Sequence, residues 1–185
     1  MRLFYAIDTT PELKRQMEEV RLKLMESNAD VKWEPKEKYH ITIKFLGETE
    51  EKIFPYVEKC LNEVGEKFSA FQIKYKSLGF FPNQKQPRVV WIGTEIATQE
   101  IFEIKNYLDE SLKIYGFEVE NRKFHPHITL GRIRSMRNVK NLISIAENLK
   151  FETEPIMCGE IILMQSILKP TGSEYKILRT VKLKG

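Results

Sequence analysis

The sequence predicts an α+β protein built from two similar halves. Four segments with helical spacing of apolar residues are interspersed with about nine short apolar runs that suit strands. A strand–helix–strand unit occurs twice, and the second strand of each unit carries a His-x-Thr sequence, at His40 and at His127. Leu3 precedes His40 by the same number of positions, 37, as Val90 precedes His127. This regularity indicates an internal repeat and two pseudo-symmetric lobes.

The helices and strands are predicted, in chain order, from the helical and the strand spacing of apolar residues. An unbroken apolar run at residues 3–7 predicts a buried strand. Thr9 or Thr10 is a suitable N-cap for a helix with Pro11 in its first turn, and apolar residues three or four apart give that helix one buried stripe. The predicted helices are 11–26, 52–67, 98–115 and 138–149. The predicted strands are 3–7, 39–46, 71–78, 89–93, 117–120, 127–133, 151–157, 160–165 and 175–183, with a loop at 79–88.

The composition excludes several classes of protein. With 30 Lys and Arg against 26 Asp and Glu, the net charge of +4 is compatible with an anionic ligand but does not prove one. The two cysteines, Cys60 and Cys158, do not make a disulfide framework. No segment approaches the roughly 18 to 20 apolar residues of a membrane span, and no signal peptide is evident. We therefore expect a cytoplasmic monomer with no membrane association and no obligate protein partner.

The repeated His-x-Thr sequence has a chemical meaning because residues i and i+2 of a strand face the same side. His40, Thr42 and Lys44 are expected on one face of the first strand, and His127 and Thr129 on one face of the second. Two imidazoles can act as a general base and a general acid near neutral pH, and hydroxyl groups can donate hydrogen bonds to an anion. Hydrolysis of a phosphodiester needs this set of groups and no metal ion.

Other interpretations of the same residues stay open at this point. A single His-x-Thr sequence is ordinary strand alternation, whereas two at matching positions of a repeat favour a function. His40, His125 and His127 would offer three ligands to a metal ion, although no Asp or Glu lies in the motifs to complete the set. A catalytically inactive module that binds nucleotides or RNA is a further alternative, as is the same chemistry on another cyclic phosphate or on a 2′-5′ linkage.

Longer stretches around the two motifs carry a family resemblance. The segments YHITIKFLG at residues 39–47 and HPHITLGR at residues 125–132 resemble the paired signatures of the 2H phosphoesterase superfamily. In particular, the chain resembles the LigT-like RNA 2′,3′-cyclic phosphodiesterases, first named 2′-5′ RNA ligases. The resemblance extends over nearly the whole chain and includes residues 2–8, 80–83, 87–93 and 166–175.

The resemblance implies a fold and a reaction. The fold is one domain over residues 1–185, with two antiparallel sheets framing a central cleft and helices on the outside. The reaction is metal-independent and cofactor-free opening of a terminal 2′,3′-cyclic phosphate on RNA, or on a small cyclic nucleotide, to a 2′-phosphate. His40 would be the proton donor and His127 the proton acceptor, while Thr42, Thr129 and Arg132 would bind the phosphate.

Two predictions concern residues near the motifs. Strict alternation would place Arg132 on the opposite face from His127, and we expect a bulge at Gly131 to turn it back. Further candidate substrate contacts lie outside the four motif positions. They are Phe80 or Phe81 for stacking on the terminal base, Arg88 and Lys44 for backbone phosphates, and His125 beside the site. Trp33 and Trp91 are expected in the core or in the cleft wall.

Overall fold

A computed structural model of the protein describes residues 1–95, 99–120, 122–170 and 172–185. The α+β class is confirmed. The helices are α1 (Pro11–Met25), α2 (Phe54–Lys67), α3 (Gln99–Lys113) and α4 (Val139–Asn148). The strands are β1 (Arg2–Asp8), β2 (Val31–Trp33), β3 (His40–Glu48), β4 (Phe71–Ile73), β5 (Tyr75–Phe81), β6 (Val89–Thr94), β7 (His127–Ile133), β8 (Ile156–Cys158), β9 (Glu160–Lys169) and β10 (Gly172–Lys182).

The strands that carry the two motifs lie at the centre of the main antiparallel sheet. Its order is β10-β9-β1-β3-β7-β6-β5, with β2 also paired to β7. The halves of the sheet, β10-β9-β1-β3 and β7-β6-β5, are joined in the described residues only by the pair Ile41–Ile128. A separate pair is formed by β4 and β8. The duplicated antiparallel architecture predicted from the sequence is therefore confirmed.

The main core lies between the sheet and the helices. In β1, Leu3, Tyr5 and Ile7 join this core, whereas Phe4 and Ala6 face the other side of the sheet and pack with residues of β9 and β10. The strand is buried on both faces, which explains its unbroken apolar run. The N-cap of α1 is Thr10, whose hydroxyl accepts a hydrogen bond from the Leu13 amide at 3.2 Å. The predicted stripe of α1 is buried throughout.

Several element boundaries differ from the prediction. The run 71–78 is divided into β4 and β5, with Ser77 in a left-handed conformation at φ 71°. The strand predicted at 117–120 is absent, because this segment has no strand partner. The strand predicted at 151–157 is reduced to β8, and the loop predicted from residue 79 begins only after Phe81. The predicted start of the third helix, at Thr98, lies outside the described residues.

In the part of the chain that the structure describes, no helix is both long enough and apolar enough to cross a membrane.

Candidate active site

Twin β-bulges interrupt the alternation of the two motif strands. Thr42 of β3 lies opposite Ala6 and Lys44 lies opposite Tyr5, so that Ile43 is the extra residue. In β7, Thr129 lies opposite Trp91 and Gly131 opposite Val90, so that Leu130 is extra. The bulges occupy equivalent positions, three residues after each histidine. Beyond a bulge the side chains exchange faces, and simple alternation no longer holds.

Each motif strand therefore presents a row of three side chains to the cleft. The row of β3 is His40, Thr42 and Phe45, and Phe45 is 50% exposed. The row of β7 is His127, Thr129 and Arg132.

The bulge expected near Gly131 is thus present, with Leu130 as its extra residue, and it turns Arg132 toward the cleft. Gly131 is required where β2 pairs with this strand, because a Cβ atom there would lie 2.6 Å from Cγ1 of Val31.

The two rows converge on one small central cavity of about 80 Å³. Its walls include both histidines and both threonines of the motifs, together with Arg132. The complete lining is Glu34, Lys38, His40, Thr42, His127, Thr129, Arg132 and Tyr175. The sheet thus brings together residues separated by almost half of the chain.

His127 is held by a hydrogen bond to the backbone. Its Nδ1 lies 2.6 Å from the carbonyl oxygen of His125, which accepts only if Nδ1 carries a proton. In the neutral ring the lone pair is then on Nε2. The ring is flanked by Phe81 and Trp91, with centroids 4.8 Å and 6.2 Å away. The geometry favours His127 as a group that accepts a proton at Nε2.

His40 contacts its threonine neighbour directly. Its Nε2 lies 3.1 Å from Oγ1 of Thr42. The ring packs between Phe4 and Tyr175, whose centroids are 5.1 Å and 5.3 Å away. The backbone of Lys38, two residues before the histidine, raises the pKa of His40. The backbone of His125 acts in the same direction on the pKa of His127.

The electrostatic surroundings of the two imidazoles differ. Burial is the main influence at both: it lowers the pKa of His40 from 6.5 to about 4 and also lowers the pKa of His127. Among the smaller influences, the charge of Asp8 raises the pKa of His40, whereas Arg132 lowers that of His127. Both rings are neutral in the free protein at pH 7. The nearby charges act on His40 in both directions, because Lys14 and His127 lower its pKa while Asp8 raises it, and the charges near His127 lower its pKa.

Larger cavities lie on either side of the central one. The cavity on the side of the first half has a volume of about 480 Å³ and includes Arg2, Lys32, Phe45 and Tyr175. The cavity on the other side has a volume of about 810 Å³ and includes Phe45, Phe81, Arg88, Arg122 and Lys123. Phe45 and Arg132 line both. The site is thus an elongated cleft with a polar centre.

Two predicted substrate contacts do not reach the cleft. Lys44 was expected on the face of Thr42, but the bulge at Ile43 turns it into the protein, where it is 3% exposed and bound to Asp109. Phe80 is also a core residue, because its position in β5 points it away from the cleft. Both predictions are wrong. The first fails because strict alternation was assumed across a bulge, and the second because β5 extends through this residue.

The other predicted contacts lie along the larger cavity. Phe81, Arg88 and His125 all line it. The imidazole of His125 packs on Trp91 with a centroid distance of 4.7 Å. Trp91 lies across Gly79, whose added Cβ would come within 2.2 Å of the indole ring. Trp91 is therefore part of the wall behind His127, and Trp33 packs against the core.

Sequence reasoning missed several residues that line the central or flanking cavities, among them Glu34, Lys38, Phe45 and Tyr175. Phe45 was hidden by the bulge. Tyr175 is an aromatic residue in an otherwise polar part of β10, which was a usable signal. Glu34 and Lys38 lie in the loop before β3, and no pattern marked them. Arg132 makes a long ion pair with Glu34, with 4.0 Å between Nε and Oε1.

Over residues 1–95, 99–120, 122–170 and 172–185, no group of three or more His, Cys, Asp or Glu side chains is arranged to hold a metal ion.

A duplicated fold with one His-x-Thr row from each half facing a small polar cavity defines a two-histidine phosphoesterase. A family model described as LigT like Phosphoesterase matches residues 7–91 and, a second time, residues 92–175. The chain belongs to this family, and the two consecutive matches confirm the internal repeat.

Individual relatives support the same assignment. An RNA 2′,3′-cyclic phosphodiesterase of Archaeoglobus fulgidus is 36% identical over 180 residues, covering 97% of this chain and 98% of the relative. A protein of the same name from Thermotoga maritima is 32% identical over 185 residues, covering 100% and 97%. The fold is similar to that of E. coli LigT complexed with 3′-AMP, with a TM-score of 0.79, 23% identity, and coverage of 100% and 98%.

Proposed function

We propose that this protein is an RNA 2′,3′-cyclic phosphodiesterase that hydrolyses a terminal 2′,3′-cyclic phosphate to a 2′-phosphate without a metal ion. One observation carries the proposal: both His-x-Thr pairs and Arg132 line the same small cavity. The names of the relatives agree with this substrate. The reaction needs a proton acceptor, a proton donor and groups that bind a phosphate anion, and the cavity contains all three.

The proposed reaction begins with a water molecule on the side of His127. Nε2 of His127 takes a proton from this water as its oxygen attacks phosphorus, while the hydrogen bond from Nδ1 to the carbonyl of His125 fixes the ring. The bond from phosphorus to O3′ breaks, and His40 gives its proton to the leaving O3′. The product retains the phosphate on O2′. Solvent exchange afterwards returns the proton to His40 and removes it from His127.

The substrate itself adjusts the protonation state of His40. Burial keeps the pKa of this imidazole at about 4 in the free protein, so that it is neutral at pH 7. A bound phosphodiester places a negative charge next to the ring, which raises the pKa of the imidazole. Asp8 contributes in the same direction. Since the substrate charge acts on both imidazoles, we assign the proton of the bound complex to His40 on the resemblance to the family.

Phosphate binding falls to the remaining polar groups of the cavity. The hydroxyls of Thr42 and Thr129 donate hydrogen bonds to non-bridging oxygens, and Arg132 supplies positive charge at the edge of the site. Arg132 is 62% exposed on its side chain, so it reaches the phosphate from the rim of the cavity. Charge-assisted hydrogen bonds of this type are worth about 1.5–3 kcal/mol each.

The RNA chain is expected along the larger cavity. Phe81 and His125 offer faces for stacking of a base, and Arg88 offers a cation for a backbone phosphate. Arg122 and Lys123 add two further cations to the same wall. This cavity combines aromatic and basic side chains, which is the combination that single-stranded RNA requires.

We further propose that residues 1–185 act as one domain, as a monomer and in the cytoplasm. One buried cluster contains residues of both repeats, including Ile41 and Ile128. The central cavity is complete within a single chain. Cys60 and Cys158 are both buried and free, which suits a reducing compartment. A single unfolding transition and the elution volume on size exclusion test the first two statements.

The reaction is tested by incubating the protein with 2′,3′-cyclic AMP in excess EDTA. Chromatography and ³¹P NMR of the product are expected to show conversion to the 2′-phosphate. Hydrolysis that stops in EDTA and resumes with added metal would contradict the metal-free mechanism. Tight binding without conversion would favour a nucleotide-binding module. Parallel assays on a 2′-5′ dinucleotide and on a cyclic-phosphate RNA end compare the substrates directly.

A further inference from the structure

A buried ionic cluster lies on the opposite side of β3 from the cleft. It consists of Lys44, Lys105 and Asp109, which are 3%, 3% and 5% exposed. Nζ of Lys44 lies 2.5 Å from Oδ1 of Asp109, and Lys105 contacts the other carboxylate oxygen. Nζ of Lys44 also donates a hydrogen bond of 2.9 Å to the carbonyl of Glu118. The proposed reaction uses none of these groups, although burial of charged side chains is costly.

Lys44 and Lys105 have different structural positions in this cluster. Lys105 and Asp109 are one turn apart on α3, so their contact lies within a single helix. Lys44 instead connects β3, in the first half of the sheet, to α3 and to the segment after that helix. This segment continues to Glu120 and the wall of the larger cavity. The Lys44 ammonium is therefore a cross-link between the halves of the protein.

The burial of Lys44 is coupled to the bulge at Ile43. Without the bulge, Lys44 would face the cleft beside Thr42, and Phe45 would point into the core. Considered separately, each side chain prefers that arrangement, because an ammonium favours water and a phenyl ring favours burial. The structure shows the opposite, with Lys44 buried and Phe45 half exposed. An interaction on the core side must hold the strand in its bulged form.

Among the described residues, the bulge of β7 has no such ion pair, because a glycine stands where β3 has Lys44. Gly131 occupies the position in β7 that Lys44 occupies in β3, as their partners Val90 and Tyr5 show. There, β2 runs alongside β7 and covers the glycine. The bulge of β7 is thus held by the neighbouring strand β2, whereas the bulge of β3 is next to the ion pair of Lys44 and Asp109.

We propose that the ion pair between Lys44 and Asp109 holds the bulge of β3 and thereby keeps Phe45, rather than a lysine, in the cleft next to Thr42. Lys44 is a positioning residue that does not touch the substrate. The expected effect of Lys44 on kcat rests on the proposed function. Its expected effect on the conformation of β3 does not. Loss of the anionic partner should release Lys44 toward the cleft, with Phe45 turning inward.

The variant pair K105M and K105M/D109N tests the proposal. K105M removes the second lysine and leaves the Lys44–Asp109 pair neutral and intact. The added D109N change removes only the negative charge and leaves Lys44 without an anionic partner. Acetylation with sulfo-NHS-acetate, followed by mass spectrometry, reports the exposure of Lys44, with the exposed Lys52 as an internal reference. The buried thiols of Cys60 and Cys158 report whether the protein stays folded.

We expect Lys44 to be protected in the unaltered protein and in K105M, and to react at least tenfold faster in K105M/D109N while both thiols remain unreactive. With 2′,3′-cyclic AMP, kcat should stay within threefold in K105M and fall at least tenfold in K105M/D109N. The triple variant K44M/K105M/D109N should recover kcat, because methionine is apolar and restores the inward position of residue 44. This recovery distinguishes a positioning role from a loss of packing.

Two results would overturn the proposal: protection of Lys44 in folded K105M/D109N, or a triple variant as slow as the double variant. If K105M/D109N yields no folded protein, K105M/D109S replaces it. This variant has a smaller side chain at position 109, and the same results are expected. If the unaltered protein does not hydrolyse the substrate, the proposed function fails, and the acetylation result still decides whether the ion pair holds the bulge.

Discussion

Ile41 of β3 pairs with Ile128 of β7 at the junction of the two halves of the main sheet. In the antiparallel register that this pair defines, His40 falls opposite Thr129 and Thr42 falls opposite His127. The two imidazoles are therefore placed diagonally, each next to the threonine of the other half. In the proposed reaction, this arrangement would give a phosphate between them a proton donor and a proton acceptor on opposite sides, as in-line displacement requires.

This arrangement predicts unequal effects for the three histidines. H40A and H127A should each lower kcat by about 10²–10⁴, the usual contribution of a general acid or base. H125A should leave kcat on 2′,3′-cyclic AMP within about fivefold, because His127 uses the backbone carbonyl of residue 125 and not its side chain. Steady-state kinetics with circular dichroism as a folding control measures these effects. A loss in H125A equal to that in H127A would contradict the assignment.

The pH dependence follows from the direction of the pKa shifts. Burial lowers the pKa of His40 to about 4 and lowers that of His127 below 6.5. The reactive form has one imidazole protonated and one neutral, so kcat/KM should be highest between about pH 4 and 6.5 and should decline above that range. Because a bound phosphodiester raises the pKa of the imidazoles, the profile of kcat should lie at higher pH than that of kcat/KM.

Stopped assays over pH 4 to 9 in buffers of constant ionic strength measure both profiles. The acidic and alkaline limbs of each pH profile report apparent pKa values of the histidine pair rather than of single residues, because the two imidazoles interact. A maximum of kcat/KM above pH 7.5 would show that the free protein does not hold its histidines neutral.

Arg132 should affect substrate binding more than turnover. R132M removes a cation from the rim of the central cavity, and the loss of a charge-assisted hydrogen bond of about 1.5–3 kcal/mol corresponds to a KM about 10- to 100-fold higher. E34Q is the matched control, because it removes the carboxylate that lies 4.0 Å from Arg132 and leaves the guanidinium in place. We expect KM for 2′,3′-cyclic AMP to be unchanged or lower in E34Q. A KM for R132M that equals that of the unaltered protein would exclude contact with the phosphate.

The sequence was sufficient to predict the class of fold and the central residues of the site. His40, Thr42, His127 and Thr129 could be placed because strand alternation is reliable over two residues. It fails over four residues in this protein, since a bulge follows each threonine. The exchange of Lys44 for Phe45 in the cleft places Lys44 against Asp109, which lies 65 positions away in the chain. No local pattern contains that information.

The repeat was also predicted correctly, but its equal spacing was partly coincidental. The register pairs Tyr5 with Lys44 and Val90 with Gly131, so Tyr5 and Val90 are the equivalent residues rather than Leu3 and Val90. Pairing across strands defines this correspondence, and the sequence alone does not show it. The absent strand at residues 117–120 has a similar explanation, because a segment of alternating apolar and polar residues forms a strand only where another strand pairs with it.

The bulge of β7 makes a separate prediction about stability. A Cβ atom at Gly131 would lie 2.6 Å from Cγ1 of Val31 and 3.0 Å from the ring of Trp33, so G131A should overpack the contact between β2 and β7. Overpacking of this kind costs about 1–3 kcal/mol of the free energy of unfolding, which urea denaturation measures. G159A is the matched control, because an added Cβ at Gly159 meets no atom within 4 Å. V31A/G131A should recover part of the loss by removing Cγ1 of Val31. If G131A were as stable as G159A, β2 would not be holding this bulge, and the orientation of Arg132 would need another cause.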